Sequence, residues 1–150
     1  MKKLMLALLA GAVASLAVVA LAAGSARATH KIAATMSTSA AVPKPKGAAH
    51  ARGSFTGTYV TTKSGATLKW KLSFSGLTGP ALQAHIHLGK KGVAGNVIVP
   101  LCAPCRNGQR GTAKLTKSIV KALVAGNTYA NVHTKKNPAG EIRGQVKVSG

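Results

Sequence analysis

The stretch TLKWKLSFS, Thr67 to Ser75, decides the fold. Leu68, Trp70, Leu72 and Phe74 alternate with Lys69, Lys71 and Ser73. A period of two sends successive side chains to opposite faces of an extended chain, so one face is apolar and the other wet. Just upstream, RGSFTGTYV (Arg52 to Val60) is rich in Thr, Phe and Tyr, which favour strands. Lys63-Ser64-Gly65 lies between the two runs and reads as a hairpin turn.

The same grammar continues toward the C-terminus. Strands are expected over Leu82 to Leu88, Val97 to Leu101, Gly111 to Leu115, Tyr129 to Thr134 and Glu141 to Val148. Gly-, Pro- and Asn-bearing clusters separate them, at Thr78-Gly79-Pro80, Gly92 to Asn96, Asn107-Gly108 and Lys136 to Gly140. One stretch, KSIVKALVA from Lys117 to Ala125, carries helical spacing, and Gly126-Asn127 supplies its C-terminal stop. Short, evenly spaced strands with turn signals predict an all-β antiparallel sandwich with one short helix.

The N-terminus has a different logic. Met1-Lys2-Lys3 precedes an apolar run from Leu4 to Ala23, and Ala26-Arg27-Ala28 is a small-residue cleavage signal. Residues 1–28 therefore read as a signal peptide, with a mature domain over 29–150. Left uncleaved, the apolar run is long enough to anchor the chain in a membrane. Export predicts a secreted or cell-envelope location. Residues 29–50 have a linker-like composition, although Lys31 to Met36 also reads as a weak first strand.

Charge is extreme. The 150 residues hold 21 Lys and Arg against one acidic residue, Glu141. Without Lys2, Lys3 and Arg27 the mature chain keeps 18 basic residues, a net charge of +17. The charges are scattered, which makes a basic surface and not a basic tail. Such a surface attracts polyanions, so anionic cell-surface polymers or an extracellular protein are the expected partners. Sequence-specific nucleic-acid binding is not expected, since aromatics are only 3% of the residues. A chain with one carboxylate also has little to lose on acidification, because acid unfolding comes mostly from protonating paired carboxylates.

The segment AHIHLG (Ala84 to Gly89), followed by YANVHT (Tyr129 to Thr134) and NPAGEIRGQ (Asn137 to Gln145), resembles the CHRD domain, a module named from chordin and found in exported bacterial proteins. The resemblance implies a Greek-key sandwich of immunoglobulin-like or superoxide-dismutase-like form. It also implies that Lys31 to Met36 is a strand followed by a Pro-containing loop at Val42 to Lys46, and so displaces the linker reading. It implies no settled activity.

Alternation places His85 and His87 on one face of their strand, opposite Ala84 and Ile86, with Leu82 and Leu88 expected on the apolar side. His133 shares a face with Tyr129 and Asn131. Glu141, Arg143, Gln145 and Lys147 are expected to face away from Ile142, Val146 and Val148. Two readings follow for the histidines. In one, His85, His87 and His133 converge on a metal, copper or zinc, since imidazoles at i and i+2 present both rings on one side. In the other they join Asn131, Glu141 and Arg143 in a structural polar network. The copper site of copper/zinc superoxide dismutases also begins from an H-x-H strand, but this chain has no Asp and lacks the zinc-ligand Asp of those enzymes, so dismutase activity is not expected. No second carboxylate exists to partner Glu141 in acid/base catalysis, and no catalytic residue is assigned. Glu141 is expected to pair with Arg143, to accept from His133, or to accept from loop N–H groups.

Cys102-Ala103-Pro104-Cys105 reads as a disulfide in an exported chain. Metal ligation and thiol redox chemistry are the alternatives. His30 and His50 fall in weakly patterned stretches, and His30 is expected in an exposed tail.

Overall fold

The alternation of Thr67–Ser75 becomes the centre of one half of the sheet. The computed structural model describes residues 27–150, so the signal-peptide reading lies outside the described residues except for its last two positions. The strands are β1 (Thr29–Ser37), β2 (Arg52–Thr62), β3 (Gly65–Ser75), β4 (Ala81–Leu88), β5 (Val97–Cys102) and β6 (Arg110–Thr116). After the helix α1 (Lys117–Val124) come β7 (Thr128–Thr134), β8 (Ile142–Gln145) and β9 (Lys147–Ser149).

All described pairings are antiparallel, in the order β5-β4-β7-β8-β1-β2-β3-β6, with β9 added beside β1. Non-consecutive neighbours such as β4 and β7 give the Greek-key character. The sheet curls until its two edges, β5 and β6, come into contact, and side chains from the whole path share one core. Ile32, Met36, Phe55, Tyr59, Leu68 and Leu72 from one half meet Ala84, Ile86, Val132, Ile142 and Val146 from the other. The all-β sandwich expected from the sequence is the observed fold.

The helix begins and stops where its signals lie. The Thr116 hydroxyl accepts from the Ile119 N–H at 3.2 Å, an N-cap bond. Gly126 follows at φ +68°, the left-handed stop that glycine adopts without penalty.

Three expectations need correction. The single strand expected over Glu141 to Val148 is two strands. Arg143 of β8 already stands opposite Ser37 of β1, and Lys147–Ser149 continue beside Ala33–Lys31; the Val146 N–H, bonded to the Thr128 carbonyl at 2.9 Å, makes the last contact with β7. Gly144 permits the close approach of β8 to β1, because a Cβ there would stand 2.2 Å from the Thr35 carbonyl oxygen. Leu82 and Leu88 are not on the core face: they are 48% and 47% exposed, while Ala81 is buried in their place. A register shift between Ala81 and Gln83 breaks the alternation there. His30 is not in a tail, since it sits within β1, bonds to the Gly150 carbonyl at 3.1 Å and stacks on Tyr59.

Candidate metal centre

His85 and His87 leave β4 on the side opposite Ala84 and Ile86, as alternation requires. In the β4–β7 ladder His85 stands opposite Asn131, His87 opposite Tyr129, and Gln83 opposite His133. One strand therefore supplies two imidazoles and its neighbour the third. The ring centroids lie 5.0 to 5.6 Å apart, and one nitrogen from each ring falls within 4.8 Å of the others.

The face they occupy is not open to water. His87 and His133 are 7% and 5% exposed, and only His85 is partly accessible. Two loops account for this. The Gly95 carbonyl in the loop after β4 accepts from His87 Nδ1 at 2.9 Å, and the Pro138 carbonyl in the loop after β7 accepts from His133 Nδ1 at 2.9 Å. A carbonyl can only accept, so each Nδ1 carries the hydrogen and each Nε2 keeps its lone pair. His87 Nε2 is buried and has no hydrogen-bond partner. His133 Nε2 lies 3.2 Å from His85 Nδ1. The backbone contacts thus orient two rings by their far nitrogens, as is usual around ligating histidines.

Burial keeps the three rings neutral. It is the main reason that the His85 pKa falls to about 4, with the neighbouring charges of His133 and His87 adding to it. Burial also lowers His87; the Gly95 bond opposes this and the Arg143 charge reinforces it. His133 is lowered by burial, against the Pro138 bond, with His87 contributing. A neutral imidazole is the form that binds a metal.

Tyr129 and Arg143 hold this wall. The Tyr129 ring stacks on His87 at 4.8 Å, 8° from parallel, and its hydroxyl bonds both the N–H and the carbonyl of Gly95. The Arg143 guanidinium lies 3.5 Å from the Tyr129 ring centroid and donates to the Lys90 carbonyl at 2.8 Å. A cation over an aromatic face is attracted by the ring quadrupole. Gln145 donates to the Gly89 and Gly126 carbonyls. Side chains of β7 and β8 therefore fasten the loop that roofs His87.

Glu141 belongs to a separate knot. Its carboxylate accepts from the Thr78 N–H at 2.6 Å, the Thr78 and Thr134 hydroxyls at 2.5 and 2.6 Å, and Asn137 Nδ2 at 2.9 Å. Asn137 is itself held on the Lys46 N–H and carbonyl. Burial alone raises the Glu141 pKa, but the bonds from Thr134, Thr78 and Asn137 outweigh it and the net shift is downward. Of the roles expected for this residue, acceptance from a loop N–H is observed. It neither pairs with Arg143 nor orients His133, because Thr78 and Pro138 take those places. Nor does it face solvent: Glu141 and Arg143 are 0% and 2% exposed. Asn131 is also buried and donates to the Ala139 carbonyl at 3.3 Å. Gly140, at φ +119°, makes room for it, since a Cβ would lie 2.2 Å from Asn131 Oδ1.

The Cys102 and Cys105 sulfurs are 2.08 Å apart, a disulfide, so neither is a free thiol. The Cys105 N–H bonds the Ala81 carbonyl, tying this small loop to the start of β4. Sequence reasoning named the three histidines but missed Thr78, Thr134 and Asn137 as Glu141's partners. The last two lie inside the quoted motifs, whereas Thr78 carried no signal beyond a turn.

No curated protein and no solved structure matches the chain significantly. The family model of the CHRD domain matches residues 32–146, so the chain belongs to the CHRD-domain family.

Proposed function

We propose that this CHRD domain is an exported binding module that holds one copper or zinc ion through His85 Nδ1, His87 Nε2 and His133 Nε2. The observation that carries the reading is the buried His87 Nε2, which has no hydrogen-bond partner, in a cluster where one nitrogen from each of the three rings lies within 4.8 Å of the others. A buried polar atom left unsatisfied costs about 1–3 kcal/mol, and a metal satisfies it. Three imidazole nitrogens suit both ions. The accessible side at His85 leaves room for a fourth ligand from solvent. The disulfide and the family membership favour an extracytoplasmic setting.

The test is titration of the metal-free protein with Cu(II) and Zn(II) by calorimetry, with elemental analysis of the dialysed product. One ion per chain is expected, and His85→Ala and His133→Ala should each abolish stoichiometric retention. Retention below about a tenth of an equivalent in the folded wild type would leave the histidines as a structural hydrogen-bonded cluster.

A further inference from the structure

The outward face of β1, β2, β3 and β6 holds an open cleft of about 750 Å³, on strands other than β4 and β7, which carry the three histidines. Lys31, Lys69, Lys71 and Arg110 all line it. The pairing register arranges them in two rows across the sheet. Arg110 stands directly opposite Lys71, which is opposite Thr56. In the next row Thr112 stands opposite Lys69, which is opposite Thr58, which is opposite Lys31. Neighbouring strands are about 4.8 Å apart, and residues i and i+2 about 6.7 Å apart, so four cations crowd a small area. Like charges directly opposite on adjacent strands are destabilising. No side-chain carboxylate relieves them, because the chain's only acidic residue is fully buried elsewhere.

We infer that this cleft is a binding site for an anionic polysaccharide, a sugar polymer bearing carboxylate or sulfate groups. The cations match its charge. The hydroxyls of Thr56, Thr58 and Thr112, set between them, can donate to and accept from sugar hydroxyls. Two rival polyanions fit less well. Phe55 and Tyr59 are fully buried in the core, and Trp70, which lines the floor of the cleft, is only 5% exposed, so nucleic-acid bases find almost no ring surface to stack on. A bilayer surface fits less well because the outward positions lining the cleft offer no large apolar side chain to insert.

The experiment measures binding of the protein to polygalacturonate and dextran sulfate, with neutral dextran, single-stranded DNA and phosphatidylglycerol vesicles for comparison. Two variants remove the same charge from different places: K69Q/K71Q inside the cleft and K117Q/K121Q on α1. The cleft variant should bind the acidic polysaccharides about tenfold more weakly, and its salt dependence should be shallower by about two released counterions. The helix variant should change binding less than about twofold. Lys31→Gln probes the same cleft from another strand and should weaken binding about threefold. Melting temperatures at or above wild type are expected for the cleft variants, since like-charge repulsion is relieved. Equal losses in the two double variants would reduce the attraction to net charge and overturn the site. Tighter binding to DNA or to vesicles than to polygalacturonate at matched salt would overturn the polysaccharide assignment.

Discussion

Glu141→Gln keeps the shape of the side chain and removes its charge, and the structure shows why the amide cannot be accommodated. One carboxylate oxygen accepts from the Thr78 N–H, and the other accepts from two hydroxyls and from Asn137 Nδ2. A glutamine must put its NH₂ on one side or the other. Facing Thr78, it sets donor against a backbone N–H that cannot turn. Facing Asn137, it meets another NH₂, and Asn137 cannot flip without breaking both of its bonds to Lys46. The threonine hydroxyls can rotate, but one donor stays unpaired in either orientation. An orphaned buried donor costs about 1–3 kcal/mol, and the lost charge assistance adds to it. We expect a loss of about 2 kcal/mol at neutral pH, or a fall in Tm of about 4–8 °C. The assay is urea unfolding of both proteins from neutral to acid pH. The folded Glu141 pKa is depressed, so its stabilising contribution is complete above the unfolded value of about 4.3 and is lost as pH falls through the folded value. The two proteins should therefore converge in acid. The histidines are common to both and cancel in the difference. Equal stability at neutral pH, or a gap that does not close in acid, would refute the reasoning.

Other outcomes follow from the same geometry. Tyr129→Phe keeps the ring on His87 but frees Gly95, and it should cost about 1 kcal/mol and speed amide exchange at Gly95 by NMR. Gly144→Ala drives a methyl into the Thr35 carbonyl and should cost about 1–3 kcal/mol or more in denaturant melts. Reducing Cys102–Cys105 opens a very short loop, so calorimetry should show a loss of no more than about 2 kcal/mol with the fold kept. The His85 pKa is lowered to about 4, so the metal-free protein should lose stability as pH falls from about 6.5 towards that value. Urea melts of His85→Asn should show a flatter decline. This acid sensitivity is one the single carboxylate did not suggest.

The sequence by itself determined the class of structure and the candidate ligands. Period-two alternation at Leu68, Trp70 and Leu72 specifies a buried face without reference to anything distant, and Thr116 and Gly126 mark the ends of α1 by local bonds. The same alternation put His85, His87 and His133 on the faces opposite Ala84, Ile86 and Val132. Alternation says which way a side chain points, but not what lies beyond it. Only the tertiary structure decided that the wet side of β4 and β7 is roofed, because the carbonyls that cover it belong to Gly95 and Pro138 in loops with no regular period. Only it ended the β7 ladder at Val146, whose bond to Thr128, the first residue of β7, is the last rung before Lys147–Ser149 run beside β1 alone. And only it gave Glu141 its partner Thr78, 63 residues earlier in the chain. That contact exists because the turn after β3 folds back over the end of β7, a consequence of how the sheet closes rather than of any local pattern.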